Sequence, residues 1–140
     1  MKCDLCQKGD LVSEVVPRLT NIGPYAVRDT VTRDRCPACG ETFLGLDALH
    51  AAELRAARRV LLEGPAVGTV ARDVRKILGL TQRELSPLIG LSWEAISRLE
   101  NADETSPANT MALLLLVERA MRGEALEGDR GEAVKLSRVS

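Results

Sequence analysis

Four cysteines carry the most legible chemistry in this 140-residue chain. They stand as two C-x2-C pairs, Cys3 with Cys6 and Cys36 with Cys39, and 29 residues separate the pairs. Two thiolates spaced this way on a tight turn can face one ion, and two such turns close a tetrahedral S4 shell. The second turn reads Cys36-Pro37-Ala38-Cys39-Gly40. Pro37 fixes φ there, and Gly40 admits the left-handed conformation that aims backbone N–H groups at the sulfurs. The first turn has its glycine later, at Gly9. Four protein ligands leave no open position for a reactive water, so the expected metal is structural. Zinc is the expected ion, and iron fits the same cage. Disulfides are disfavoured in a reducing cytosol, and a thioredoxin-like redox pair would not need a second C-x2-C.

Composition excludes several other chemistries. Lys plus Arg is 19 against 20 Asp plus Glu, a net charge of −1, so the chain is no polybasic coat for nucleic acid. The aromatics are Tyr25, Phe43 and Trp93, too few for a platform that stacks single-stranded bases. His50 is the lone histidine. There is no Ser/His/Asp or Cys/His set, no phosphate loop and no open-shell metal pattern, so an enzyme is not expected. No apolar run reaches the ~18–20 residues of a membrane span, and MKCDLC lacks the apolar core of a secretory signal. The expected location is cytoplasmic.

The elements that must position the cysteines are short. Tyr25–Arg33 is rich in β-branched residues and reads as a strand, Leu11–Val16 as a second, with Asn21-Ile22-Gly23-Pro24 as the turn between them. Asp47 can cap a helix through Leu49, Ala52, Leu54, Ala57, Val60 and Leu61 that stops near Gly64-Pro65. Its polar side carries Arg55, Arg58 and Arg59, as a solvated face or as a grip on phosphate. So small a unit holds few large apolar side chains, and a metal would supply stability it lacks. The expected fold class is two small domains: an N-terminal α+β zinc-knuckle domain and a C-terminal all-α helix-turn-helix domain. The boundaries fall at 1–63 for the four-cysteine domain with its connecting helix, 64–69 for a linker, 70–122 for the second domain and 123–140 for a flexible tail.

The second half is punctuated regularly. Val70, Val74, Ile77 and Leu78 make one face of a helix that Gly79 ends. Thr81 and Glu84 form a capping box that starts another, with Leu85, Leu88 and Ile89 inward and Gly90 at its end. Ser92 is a good N-cap for a third, carrying Ile96 and Leu99. Leu80-Thr81-Gln82-Arg83-Glu84-Leu85, Ile89-Gly90-Leu91-Ser92 and Ile96-Ser97-Arg98-Leu99-Glu100-Asn101 resemble the Cro/cI (XRE) helix-turn-helix family. The resemblance implies that Gln82 clamps a phosphate and that Ser92, Trp93, Glu94, Ser97 and Arg98 lie at the DNA. Arg98 suits guanine O6 and N7, and Glu94 suits cytosine N4. Between Val70 and Glu100 five basic residues nearly balance four acidic ones, so one copy should bind weakly. Met111–Val117 is apolar at every position, and a helix so greasy could join two copies into a homodimer.

In whole-chain order the sequence resembles the MqsA (YgiT-type zinc finger) antitoxin family. That resemblance implies a type II antitoxin whose metal-binding half covers a cognate toxin, usually an mRNA interferase, while its helix-turn-helix dimer binds double-stranded operator DNA and represses its own operon. The family commonly has asparagine where this chain has Glu94, so the operator sequence is open. The segment Tyr25–Arg33 is the expected toxin-facing strand. The competing expectation is a stand-alone XRE-type transcriptional regulator with a structural or sensory zinc site.

Overall fold

A computed structural model describes residues 1–63 and 67–126. Strand β1 (Val12–Ile22) and strand β2 (Tyr25–Arg35) form an antiparallel hairpin in unbroken register, from Val12 opposite Arg35 to Ile22 opposite Tyr25. The two-residue turn is Gly23-Pro24. Gly23 has φ +55°, and proline cannot follow it into positive φ, which is the II′ pattern that matches strand twist. A two-residue strand β3 (Thr42–Phe43) pairs with the far end of β2, giving the order β1-β2-β3.

β1 runs on to Ile22, well past Val16, where its apolar alternation stops. Pro17 and Arg18 interrupt the pattern, but β1 pairs on one side only, and an edge strand tolerates a proline. From Glu14 on, its even-numbered side chains turn inward, ending with Ile22 fully buried, while Val15 and Leu19 face solvent. Glu14 bridges Arg33 and Arg35 across the hairpin at 2.8 and 3.0 Å.

Helix α1 (Leu46–Glu63) lies on this sheet, with Asp47 in its first turn rather than at its cap. Four helices follow: α2 (Gly68–Ile77), α3 (Gln82–Ile89), α4 (Trp93–Glu100) and α5 (Pro107–Met121). The N-caps of α3 and α4 fall where the sequence places them. Thr81 and Glu84 exchange both hydrogen bonds of the capping box, at 3.1 and 2.9 Å. Ser92 Oγ accepts from the Ala95 N–H, and Ser106 Oγ from that of Asn109. Gly90 closes α3 in the left-handed conformation, φ +74°.

The packing departs from two separate cores. The buried side chains form one cluster that runs from Ile22 and Val27 of the hairpin through Leu54, Ala57 and Leu61 of α1 to Val70, Leu85, Ile96, Leu113 and Val117. Helix α1 serves both halves, against the sheet on one side and α5 on the other. Of the expected linker, Gly64, Pro65 and Ala66 lie outside the described residues, while Gly68 and Thr69 open α2. Gly68 is needed there because a Cβ would sit 2.5–2.7 Å from the carbonyl oxygens of Glu100, Leu99 and Ala102. Of the expected tail, 127–140 lie outside the described residues, but Leu126 is buried in the core. Leu126 therefore packs on the body, while Gly123, Glu124 and Ala125 before it are exposed.

Candidate metal centre and nucleic-acid interface

The cysteine pairs adopt the same local geometry. In each, the residue after the second cysteine takes a left-handed φ, +61° at Gln7 and +82° at Gly40. That residue's N–H donates to the carbonyl of the first cysteine, Gln7 to Cys3 at 2.9 Å and Gly40 to Cys36 at 2.8 Å. Glycine supplies this conformation at the second turn; a glutamine carries it at the first, so the later Gly9 has another role. A Cβ on Gly9 would lie 2.7 Å from Cys36 Sγ and 2.9 Å from Ala38 Cβ. Gly9 is bare because the two turns meet there.

All four sulfurs lie within 4.8 Å of one another, with Cys3–Cys39 at 3.7 Å and Cys6–Cys36 at 3.6 Å. A tetrahedron with metal–sulfur bonds of ~2.3 Å has sulfur–sulfur edges of ~3.8 Å, so the cage fits such an ion. No disulfide links them. The Lys8 and Gly9 backbone N–H groups lower the Cys6 thiol pKa to about 6, opposed by desolvation and helped by the Cys36 and Cys39 thiols. At Cys39 the Glu41 backbone N–H favours the thiolate, but desolvation and the other three thiols together push the pKa up to about 12. One thiolate forms readily and the last proton is held hard, as four converging sulfurs require. A metal cation replaces those protons. Cys3 and Cys36 are fully buried and Cys39 is exposed. The four cysteines could hold a metal ion.

The hairpin leaves this centre with one free long edge. β2 lies inside the sheet, and the carbonyls of Thr30 and Arg28 accept from Arg55 and Arg59 of α1 at 3.1 and 3.4 Å. In Tyr25–Arg33, β1 takes one edge and α1 arginines take the Arg28 and Thr30 carbonyls on the other, while Ala26, Arg28, Thr30 and Thr32 remain exposed. Among the described residues nothing pairs with the outer edge of β1. The α1 arginines are also ion-paired, Arg55 to Asp29, Arg58 to Glu118 and Arg59 to Glu63.

At the other end of the molecule, α3 and α4 are joined by Gly90-Leu91-Ser92. Trp93, Glu94 and Arg98 are exposed on α4, Ser97 is half-buried beside them, and Ser92 precedes them as the cap. Among the described residues neither Glu94 nor Arg98 has an ion-pair partner, so both heads are available. Gln82 is placed differently from the other five. Its Nε2 donates inward to Glu100 Oε1 at 3.1 Å, joining Arg75, which holds Glu100 through two bonds of 2.6 and 3.1 Å. One residue absent from the sequence expectations stands on this surface. The Arg83 guanidinium lies 4.8 Å from the centroid of the Trp93 ring. No periodicity signals a contact between side chains ten positions apart on different helices.

Among the described residues no helix is long and apolar enough to cross a membrane. A family described as the antitoxin component of a bacterial toxin-antitoxin system, MqsA, matches residues 1–127. The curated protein Antitoxin MqsA of Escherichia coli (strain K12) is 28% identical over 123 residues, covering 85% of this chain and 93% of its own length. The match runs through both the cysteine cage and the helices around α4. The chain belongs to the MqsA antitoxin family, and is thus an antitoxin component rather than an enzyme.

Proposed function

We propose that this antitoxin neutralises an mRNA-interferase toxin through residues 1–63 and represses its own operon through a helix-turn-helix at residues 70–122, as a cytoplasmic homodimer. Zinc is the proposed ion at Cys3, Cys6, Cys36 and Cys39, and it ties the chain before β1 to the chain after β2 at the open end of the hairpin. The proposed toxin-facing surface is the outer edge of β1, where Val15 and Leu19 are 67% and 54% exposed. An unpaired strand edge offers backbone hydrogen bonds, and the apolar side chains beside it offer burial.

The proposed DNA-binding residues are Gln82, Ser92, Trp93, Glu94, Ser97 and Arg98. The observation that carries this part is the exposed pair Glu94 and Arg98, one turn apart on α4 and without an ion-pair partner among the described residues. A bidentate arginine contact to guanine is worth about 1–3 kcal/mol of discrimination. The exposed stripe of Met111 and Leu115 on α5 is the proposed dimer contact.

The test is to purify the chain from its own locus and identify what co-elutes by mass spectrometry. A stoichiometric small partner encoded beside it supports the antitoxin pairing. A homodimer with no partner supports the second reading, a stand-alone regulator whose metal half props the DNA-binding half. The shared core between the two halves favours that second reading to the extent that it makes the metal half a buttress for α2 and α5.

A further inference from the structure

We propose that Arg83, held on the indole of Trp93, is a further DNA-contacting residue that grips a backbone phosphate beside the bases facing Glu94 and Arg98. This rests on the DNA-binding reading above and adds to it a residue and a division of roles.

Among the described residues, the arginines of the C-terminal half fall into two groups. Arg72 and Arg75 pair with Glu100, and Arg119 and Arg122 with Glu124. Arg83 and Arg98 pair with no carboxylate among the described residues, and both lie on the α3–α4 surface. Arg83 is exposed, yet its guanidinium lies over the Trp93 ring at 4.8 Å, a cation–π contact, and among the described residues no hydrogen bond or ion pair takes up its N–H groups. A long side chain held this way surrenders rotamer freedom before binding rather than on binding. Trp93 is 40% exposed, far more open than a core residue, so the ring that carries Arg83 lies at the surface.

Position favours a phosphate over a base. Arg83 is in the first turn of α3, whose N-terminal N–H groups and dipole already favour an anion. The base-facing positions belong to α4. Gln82, the neighbouring candidate for a phosphate, spends an amide hydrogen on Glu100. The carboxylate of Glu84 reaches back to the Thr81 N–H at 2.9 Å, within its own turn. Arg83 is therefore the cation this turn presents outward, and Trp93 is its positioning residue.

The experiment uses the metal-loaded full chain and a duplex carrying the DNA upstream of its own gene, with affinity followed by fluorescence anisotropy across a salt series. R83A should weaken binding about five- to tenfold per protomer near 0.1 M salt, and flatten the log–log salt slope by about one per protomer. The loss should be equal on duplexes with single base substitutions, whereas R98A should relax preference at particular positions. W93A should cost less once Arg83 is already alanine, and W93F should retain most of the affinity. Circular dichroism and the thermal midpoint of each variant check that it is folded. R98A-sensitive binding with an unchanged R83A salt slope overturns this proposal alone. An R83A variant with altered base preference overturns the phosphate assignment. A wild-type chain that does not distinguish this duplex from a shuffled one overturns the DNA reading itself, and this proposal with it.

Discussion

The backbone N–H of Gly23, at the tip of the hairpin, donates to Asp73 Oδ2 on α2 at 2.6 Å. This contact joins the two halves of the chain at a point where the backbones nearly touch, since a Cβ on Gly23 would lie 2.8 Å from Val70 Cγ2. Two more polar contacts repeat the link: His50 Nε2 lies 2.8 Å from the carbonyl oxygen of Ile77, and Arg58 pairs with Glu118 at 3.1 Å. The hairpin that the cysteine cage anchors is thus seated on the helices that carry α3 and α4. A force on the hairpin is felt at α2.

Replacing Asp73 by alanine should therefore loosen the seat without touching the metal cage. The half-buried Gly23 N–H loses a charged acceptor, which costs about 1–3 kcal/mol. The readout is the urea midpoint, with the metal content of the folded variant unchanged. Asp73→Asn keeps an oxygen acceptor and should recover part of the loss. An Asp73→Ala variant with the wild-type midpoint would mean the contact adds nothing to the seating.

Glu100 should give the C-terminal half an acid-sensitive joint. It is 2% exposed; burial by itself raises a carboxyl pKa, but the hydrogen bonds from Arg75 and Gln82 and the charge of Arg75 and Arg72 outweigh it and hold Glu100 below the ordinary 4.5. With the folded pKa below the unfolded one, the stabilisation is fully present above about pH 4.5 and is lost as pH falls through the folded value. Glu14 and Asp29, lowered by Arg33 and by Arg55, act in the same direction in the hairpin. Glu100→Ala leaves the mostly buried Arg75 with the Leu80 carbonyl but no carboxylate, and should cost about 3–5 kcal/mol at neutral pH. Its urea midpoint should also fall less than that of the wild type between pH 6 and pH 3. An equal fall in both proteins would remove Glu100 from the account.

Removal of the metal should unseat the hairpin. Cys3 and Cys36 are fully buried, and the sulfurs stand 3.6–3.7 Å apart across the two turns, so the cage has little else to hold it closed. One metal ion per chain is expected by native mass spectrometry, released by chelator or by acid as protons reclaim the thiolates. The thermal midpoint should drop by roughly 10 °C or more. Cys36→Ser should reproduce the drop. A chain that carries no metal and melts at the same temperature with chelator as without it would refute a structural ion here.

What the sequence makes legible in this molecule is local. The paired cysteines, the Thr81–Glu84 box, Ser92 and Gly90 each act through bonds spanning a few residues, so residue type and spacing suffice to place them. β1 beyond Val16 is invisible for the opposite reason: its partner in β2 sets its length, and Pro17 breaks the local pattern without breaking an edge strand. The shared core escapes because periodicity says that Leu54 and Leu61 are inward but not that α5 meets the same helix as the sheet. On the α3–α4 surface the α4 positions follow from its cap, whereas the inward turn of Gln82 depends on Glu100, 18 positions later. The Arg83–Trp93 stack depends likewise on how two helices lie side by side.

The α5 helix sets the last prediction. Leu113, Leu114, Leu116 and Val117 are buried within the chain, which accounts for most of its apolar run. Met111 and Leu115 remain 53% and 54% exposed and stand at i and i+4, so they form a single stripe on the outer face. Charging that stripe with Met111→Glu and Leu115→Glu leaves the inner four side chains in place. The helical signal should be unchanged, while sedimentation equilibrium should shift from dimer to monomer. Between Val70 and Glu100 the charges nearly cancel, so a single copy has little electrostatic hold on DNA. Losing the second copy should then weaken binding to a two-site duplex by about 10²–10⁴-fold, with a much smaller loss on a half-site. A double variant that still sediments as a dimer places the contact between copies elsewhere, and one that is monomeric yet binds the two-site duplex as before removes the need for two copies.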